Sequence, residues 1–161
     1  MRKQPNSHHC FVCGMKNGAG LKVAFYETVD DGGRPELLAR FTGRHQHQGY
    51  PGRLHGGVAT GVLDEVIGRA INAGKTEDDV TWGVATGLAA SFRQPVPLDV
   101  ELTARGRITR ERSRTFEGSG EIVLPDGTVA VSASGTYFKM ALEAISDIDP
   151  EALGWRVYED E

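Results

Sequence analysis

Cysteine is scarce in this chain: Cys10 and Cys13 are the only two among 161 residues, which excludes a disulfide scaffold. Long apolar runs are also missing, since none approaches the roughly 20 residues that cross a bilayer as a helix. No membrane span and no membrane partner are expected. The opening MRKQPNSHHC lacks the apolar core of a secretory signal, so the expected compartment is the cytoplasm. Positive charge is not in excess, with 18 basic against 22 acidic residues and a formal charge of -4. That balance gives no general attraction to nucleic acid, and any anionic ligand needs a local cluster of cations. Repeats and low-complexity tracts are absent, and the length suits one core. The expectation is a single domain over 1–161, with a loop segment over 1–20 and an acidic tail over 141–161.

The two cysteines form a CxxC preceded by His8 and His9, which is compatible with half a zinc site. A second cysteine pair is lacking. Redox CxxC pairs normally open a helix within a βαβ unit, whereas this one leads into Gly14, Asn17, Gly18 and Gly20. Neither reading is adopted, and no metal or cofactor is expected.

What is present divides into strands and one helix. LKVAFYETV at 21–29 and ELLARFT at 36–42 are β-type runs separated by Asp31-Gly32-Gly33, and they predict a hairpin. HQHQGYPGRL at 45–54 reads as an ordered loop in which His45 and His47 are polar loop residues. In HGGVATGVLDEVIGRAINAG, 55–74, Val58, Val62, Val66 and Ala70 recur every fourth residue, and Leu63, Ile67 and Ile71 widen the stripe. This spacing predicts a long helix ended by Gly74. Gly61 and Gly68 each cost about 1 kcal/mol relative to Ala and point to close approach of another backbone. From Thr81 onward four further strands follow with no helix between them, so their links are antiparallel. The expected class is α+β, one long helix against an antiparallel sheet of about six strands. The tail receives no function, although Trp155, Val157 and Tyr158 are suited to docking on the body.

A helix that opens with Gly56 and Gly57 presents unpaired N–H groups at its positive end, with no side chain to block a ligand carbonyl. Such donors form an oxyanion hole, or else the glycines only permit a tight turn. Asp64 lies mid-helix in an apolar stretch, where a carboxylate must face solvent or serve a purpose. Glu65 has a plain explanation as the i, i+4 partner of Arg69 on the helix surface. Gly56 and Asp64 are eight residues, and so roughly 12 Å, apart along the helix. If both serve one reacting group, the carboxylate comes from a second subunit, and a symmetric dimer follows.

QGYPGRLHGGVATGVLDEVIGRA followed by TGLAASFRQPVPL resembles the hotdog-fold thioesterases of the phenylacetate-degradation and 4-hydroxybenzoyl-CoA thioesterase group. The opening CFVCGMKNGAGL is similar to the start of many such chains, so the resemblance spans about Cys10 to Met140. It implies a hotdog fold, sheets joined edge to edge, and active sites at the subunit interface of a homodimer or dimer of dimers. It further implies an acyl-CoA substrate, with coenzyme A present only as part of that substrate. By resemblance Gly56 donates to the thioester oxygen, His55 shapes the turn before it, and Asp64 of the other subunit is general base or nucleophile. Many relatives also place Asn or Gln before the HGG and Ser or Thr on the next strand. Gln48 matches the first, while the second falls at Ala85 or at Thr86 beside it.

The phosphates of coenzyme A would need cations, and the candidates are Arg105 and Arg107 of the basic stretch around a hairpin, with Arg93 before it. Arginine on exposed strands also discourages edge aggregation. Two other classes stay open: a hotdog hydratase or dehydratase, kept by His55, and a non-catalytic acyl-CoA-binding module, kept by Ala85.

Overall fold

The computed structural model describes residues 1–160. Seven strands form one antiparallel sheet: β1 Arg2–Lys3, β2 Ala24–Val29, β3 Pro35–Thr42, β4 Gly83–Phe92, β5 Glu101–Glu111, β6 Thr115–Val123 and β7 Val129–Lys139. Their order in the sheet is β1-β2-β3-β5-β6-β7-β4. The hairpin expected from the turn at Asp31-Gly32-Gly33 is present, with Tyr26 opposite Leu38. The seventh strand is β1, two residues long, inside a segment expected to be loop; it pairs with β2 through Arg2 and Glu27.

The long helix, α1, runs Gly56–Ala70 and continues in turns to Gly74. It lies across the sheet in contact with β3 to β7, and this is a hotdog fold. Val62, Leu63, Val66 and Ile67 are fully buried against it. Burial of each such side chain contributes roughly 1.5–3 kcal/mol. The close backbone approach expected from the helix glycines is made by sheet glycines instead. A Cβ on Gly106 would stand 2.5 Å from the Val66 carbonyl oxygen, and those on Gly118 and Gly120 would strike Ile67. Gly61 faces a Val12 methyl at ordinary contact distance and Gly68 faces the Tyr137 ring. Asp99 has a φ of 60° and breaks the extended run after Leu98, so β5 starts at Glu101 and Val100 is exposed.

The tail is more ordered than its composition suggests. It carries a short helix, α2 Leu142–Ile145, and returns to the N-terminal segment through an Asn6–Arg156 bridge. Trp155 packs on Trp82 at 5.2 Å between ring centroids. Glu161 of the expected acidic tail lies outside the described residues. Among the described residues no helix is long and apolar enough to cross a membrane.

Candidate active site

Asp64 projects from the middle of α1 into a cleft of about 410 Å³ walled by Val80, Trp82, Val84, Leu142, Ile145 and Trp155. The carboxylate is half-buried, and burial raises its pKa above the ordinary carboxylate range. A hydrogen bond from Tyr137 acts in the opposite direction: the phenol donates to Asp64 Oδ1 at 3.0 Å and lies at 3.0 Å from the Asp64 carbonyl oxygen. Tyr137 is itself held by stacking on Phe116, with centroids 4.9 Å apart and planes 4° apart. Sequence reasoning missed Tyr137. Its signal was Gly68 on the helix, the gap that admits the ring.

Glu65 does pair with Arg69, at 2.8 Å, but not on a solvent face. The N-terminal segment covers the pair, and Arg69 is only 9% exposed. Its guanidinium also donates to the Pro5 carbonyl and lies 4.8 Å from the Trp155 ring.

At the start of α1, His55 is the N-cap, and its Nδ1 accepts the Gly57 N–H at 2.9 Å. Of the two donors expected for an oxyanion, Gly57 is therefore already committed, because the imidazole folds back onto its own helix. The Gly56 N–H has no acceptor among the described residues. Gly56 is exposed in a shallow hollow with Gly49, Tyr50 and Leu54, beside the Phe92 ring. That hollow and the Asp64 cleft share no lining residue.

Gln48 lies in the loop near this hollow, where its Oε1 accepts the Gly52 N–H at 3.2 Å. Thr86 is a bulge residue in β4, and its hydroxyl donates to the Thr136 carbonyl at 3.0 Å, so it is spent within the sheet. Ala85, not Thr86, lines the Asp64 cleft. His47 is a buried structural residue whose ring bonds the Ala19 carbonyl oxygen.

The three arginines do not form one cluster. Arg107 donates to Glu36 at 2.5 Å and lies 3.6 Å from Glu121, while Arg105 is 4.0 Å from Glu36. Glu36 is 4% exposed, so these cations neutralise a buried carboxylate on the outer sheet face. Arg93 follows β4, which β6 and β7 separate from β5 by roughly 14 Å. Its guanidinium has no partner among the described residues.

The sheet has two edges. β1 is too short to template another chain, but β4 offers ten residues, GVATGLAASF, without a charge or a proline. Val84 and Phe92 are 39% and 57% exposed along it.

A family model described as the thioesterase superfamily matches residues 51–131. A search of curated proteins found no match. Among solved structures, a thioesterase superfamily protein is 32% identical, with a TM-score of 0.67, covering 81% of this chain; the chain spans 63% of that protein's length. A thioesterase from Haemophilus influenzae is 17% identical, with a TM-score of 0.66 and coverage of 84% of this chain and 95% of the other. The Escherichia coli PaaI protein of the phenylacetic acid degradation operon is 19% identical, with a TM-score of 0.63 and coverage of 75% and 81%. The last two similarities show the fold alone. By the match of the family model over half of its length, this chain belongs to the thioesterase superfamily.

Proposed function

We propose that this chain hydrolyses an acyl-CoA thioester to a free acid and CoA, at a site assembled across a twofold interface. The observation that carries the reading is Asp64, a half-buried carboxylate held by Tyr137 in a largely apolar cleft. Strand β4 supplies the geometry. Its Val84–Ala85 end lines the Asp64 cleft, and its Phe92 end packs beside Gly56. Antiparallel pairing of β4 with a second copy, centred on the strand, brings the first end of one chain beside the second end of the other. Such pairing satisfies an unpaired sheet edge and places the open Gly56 N–H of one protomer near Asp64 of the partner subunit.

In this reading the Gly56 N–H donates to the thioester oxygen as negative charge develops on it, assisted by the positive end of α1. His55 holds the turn that aims this donor. Asp64 either takes a proton from attacking water or attacks the carbonyl itself. In the same reading Arg93, which follows the edge strand, would meet a CoA phosphate. A second reading, acyl-CoA binding without turnover, is favoured by Ala85 at the cleft and by the engaged hydroxyl of Thr86.

The test is free-thiol release from a panel of short, medium, long and aryl acyl-CoAs, with native protein and Asp64→Asn compared at matched oligomeric state. Turnover that the substitution abolishes supports hydrolysis. Tight CoA-ester binding with no turnover in the native protein supports the binding module.

A further inference from the structure

Cys10 and Cys13 sit on the N-terminal segment that covers α1; they do not line the Asp64 cleft themselves, and Glu65 and Arg69 lie between them and it. The turn between them is closed: the Cys13 N–H donates to Cys10 Sγ at 3.3 Å, and the Gly14 N–H donates to the Cys10 carbonyl at 2.7 Å. A Cβ on Gly14 would lie 2.3 Å from that carbonyl oxygen, so glycine is required for this approach. Cys13 is buried, and Arg69 donates to its sulfur at 3.2 Å. Cys10 is more accessible. The two sulfurs and a Glu65 carboxylate oxygen lie within 4.8 Å of one another.

Three such ligands also suit a cation, but a cation is already there. Arg69 donates Nε to Glu65 and Nη2 to Cys13, and so supplies the positive charge a metal would bring. A thiolate beside a guanidinium, next to a second thiol in a closed turn, is the arrangement of a disulfide-exchange centre. We propose that Cys10 and Cys13 are a redox-active dithiol that a small-molecule disulfide oxidises to an intramolecular disulfide, with Arg69 holding the thiolate. The acid–base environment agrees with it. Hydrogen bonding from Cys10 and the charge of Arg69 lower the Cys13 pKa, whereas the bond to Cys13 and burial push Cys10 up.

The Cys13 thiolate takes the proton of Cys10 in a minor fraction of molecules, and the more accessible Cys10 thiolate so formed attacks one sulfur of R–S–S–R. This forms a Cys10–S–S–R bond and expels R–S⁻, which takes a proton from water. Cys13 then gives its proton to water, returns to the thiolate that Arg69 holds and attacks Cys10 Sγ, forming the Cys10–Cys13 bond and expelling a second R–S⁻, also protonated by water. Two protein thiols are oxidised, one disulfide is reduced to two thiols, and no other electron acceptor is needed. Arg69 is a positioning residue in this sequence: it touches the sulfur but exchanges no atom.

The experiment equilibrates the full chain in mixtures of reduced and oxidised glutathione, quenches with an alkylating agent and measures intact mass. A form lighter by two hydrogens and resistant to alkylation, in redox equilibrium with a doubly alkylated form, is expected. The pH dependence of alkylation provides the second readout. At neutral pH, Arg69→Met slows alkylation of the pair by about tenfold, and Arg69→Lys retains most of the rate. Glutathione adducts that never resolve, alkylation at the rate of an ordinary thiol in the native chain, or zinc retained on purification that shields both thiols would each overturn the proposal. The native-chain measurements stand even if Arg69→Met fails to fold.

Discussion

The Tyr137 hydroxyl donates to Asp64 Oδ1 at 3.0 Å, joining the last long strand to the middle of the helix at a carboxylate that lines the apolar cleft. This bond favours the charged carboxylate, whereas burial opposes it. Tyr137→Phe keeps the ring stacked on Phe116 and removes only the donor. The acidic limb of the kcat/KM profile should then move to higher pH, since the carboxylate loses its stabilising partner. A charge-assisted bond is worth about 1.5–3 kcal/mol, so a fall in stability of that order or less is also expected. A pH–rate profile with an acidic limb unmoved by the substitution would remove Asp64 from the rate-controlling ionisation.

Replacement of Asp64 by Asn should lower thioester turnover by about 10²- to 10⁴-fold, the range associated with loss of a general base. The same change should make the protein more stable near neutral pH. The sign follows from linkage: a carboxyl whose folded pKa is raised contributes stability below its ordinary value of 3.8, and that contribution is lost as pH rises through the folded value. Asn cannot ionise, so it avoids the loss. Thermal melts of the two proteins should differ in favour of Asp64→Asn at pH 7 and converge below pH 4, a pH dependence specific to a strained carboxylate.

Much of this architecture was legible because it rests on local periodicity. The stripe through Val62, Val66 and Ile67 specifies the helix, and the turn at Asp31-Gly32-Gly33 specifies the first hairpin. Long-range packing was not legible. β4 pairs with β7 across two intervening strands, which leaves β4 as an edge, and no local pattern encodes that choice. At the site, spacing identified the Glu65–Arg69 pair but not its burial, because the cover is an N-terminal segment distant in sequence. Tyr137 was hidden for the same reason: its partner lies 73 residues away. Gly57 was misread as a free donor because the sequence does not show the His55 rotamer that captures its N–H.

The glycines offer a test of how the helix meets the sheet. Gly61 meets nothing nearer than a Val12 methyl at 3.9 Å, so Gly61→Ala should raise stability by about 0.5–1 kcal/mol through helix propensity. Gly106→Ala instead drives a methyl against the Val66 carbonyl oxygen, backbone that cannot rotate away. A loss of about 1–3 kcal/mol or more is expected in denaturant unfolding. Equal effects at both positions would mean that the helix does not rest on the β5 glycine.

Ala89 is exposed on the outer edge strand and opposes Ser134 of β7 within its own sheet. If two copies of β4 pair about a twofold axis near the centre of the strand, Ala89 lies close to its own symmetry mate. Ala89→Glu would then place two like charges together in a poorly solvated seam, while a monomer would leave the same side chain in water. The expected outcome is a halved mass by sedimentation, a retained circular dichroism spectrum and at least a tenfold loss of turnover, because the Gly56 donor and the Asp64 carboxylate are separated. Loss of the dimer with turnover intact would show that one chain supplies the whole site, and the role assigned to the open Gly56 N–H would pass to a donor within the Asp64 cleft.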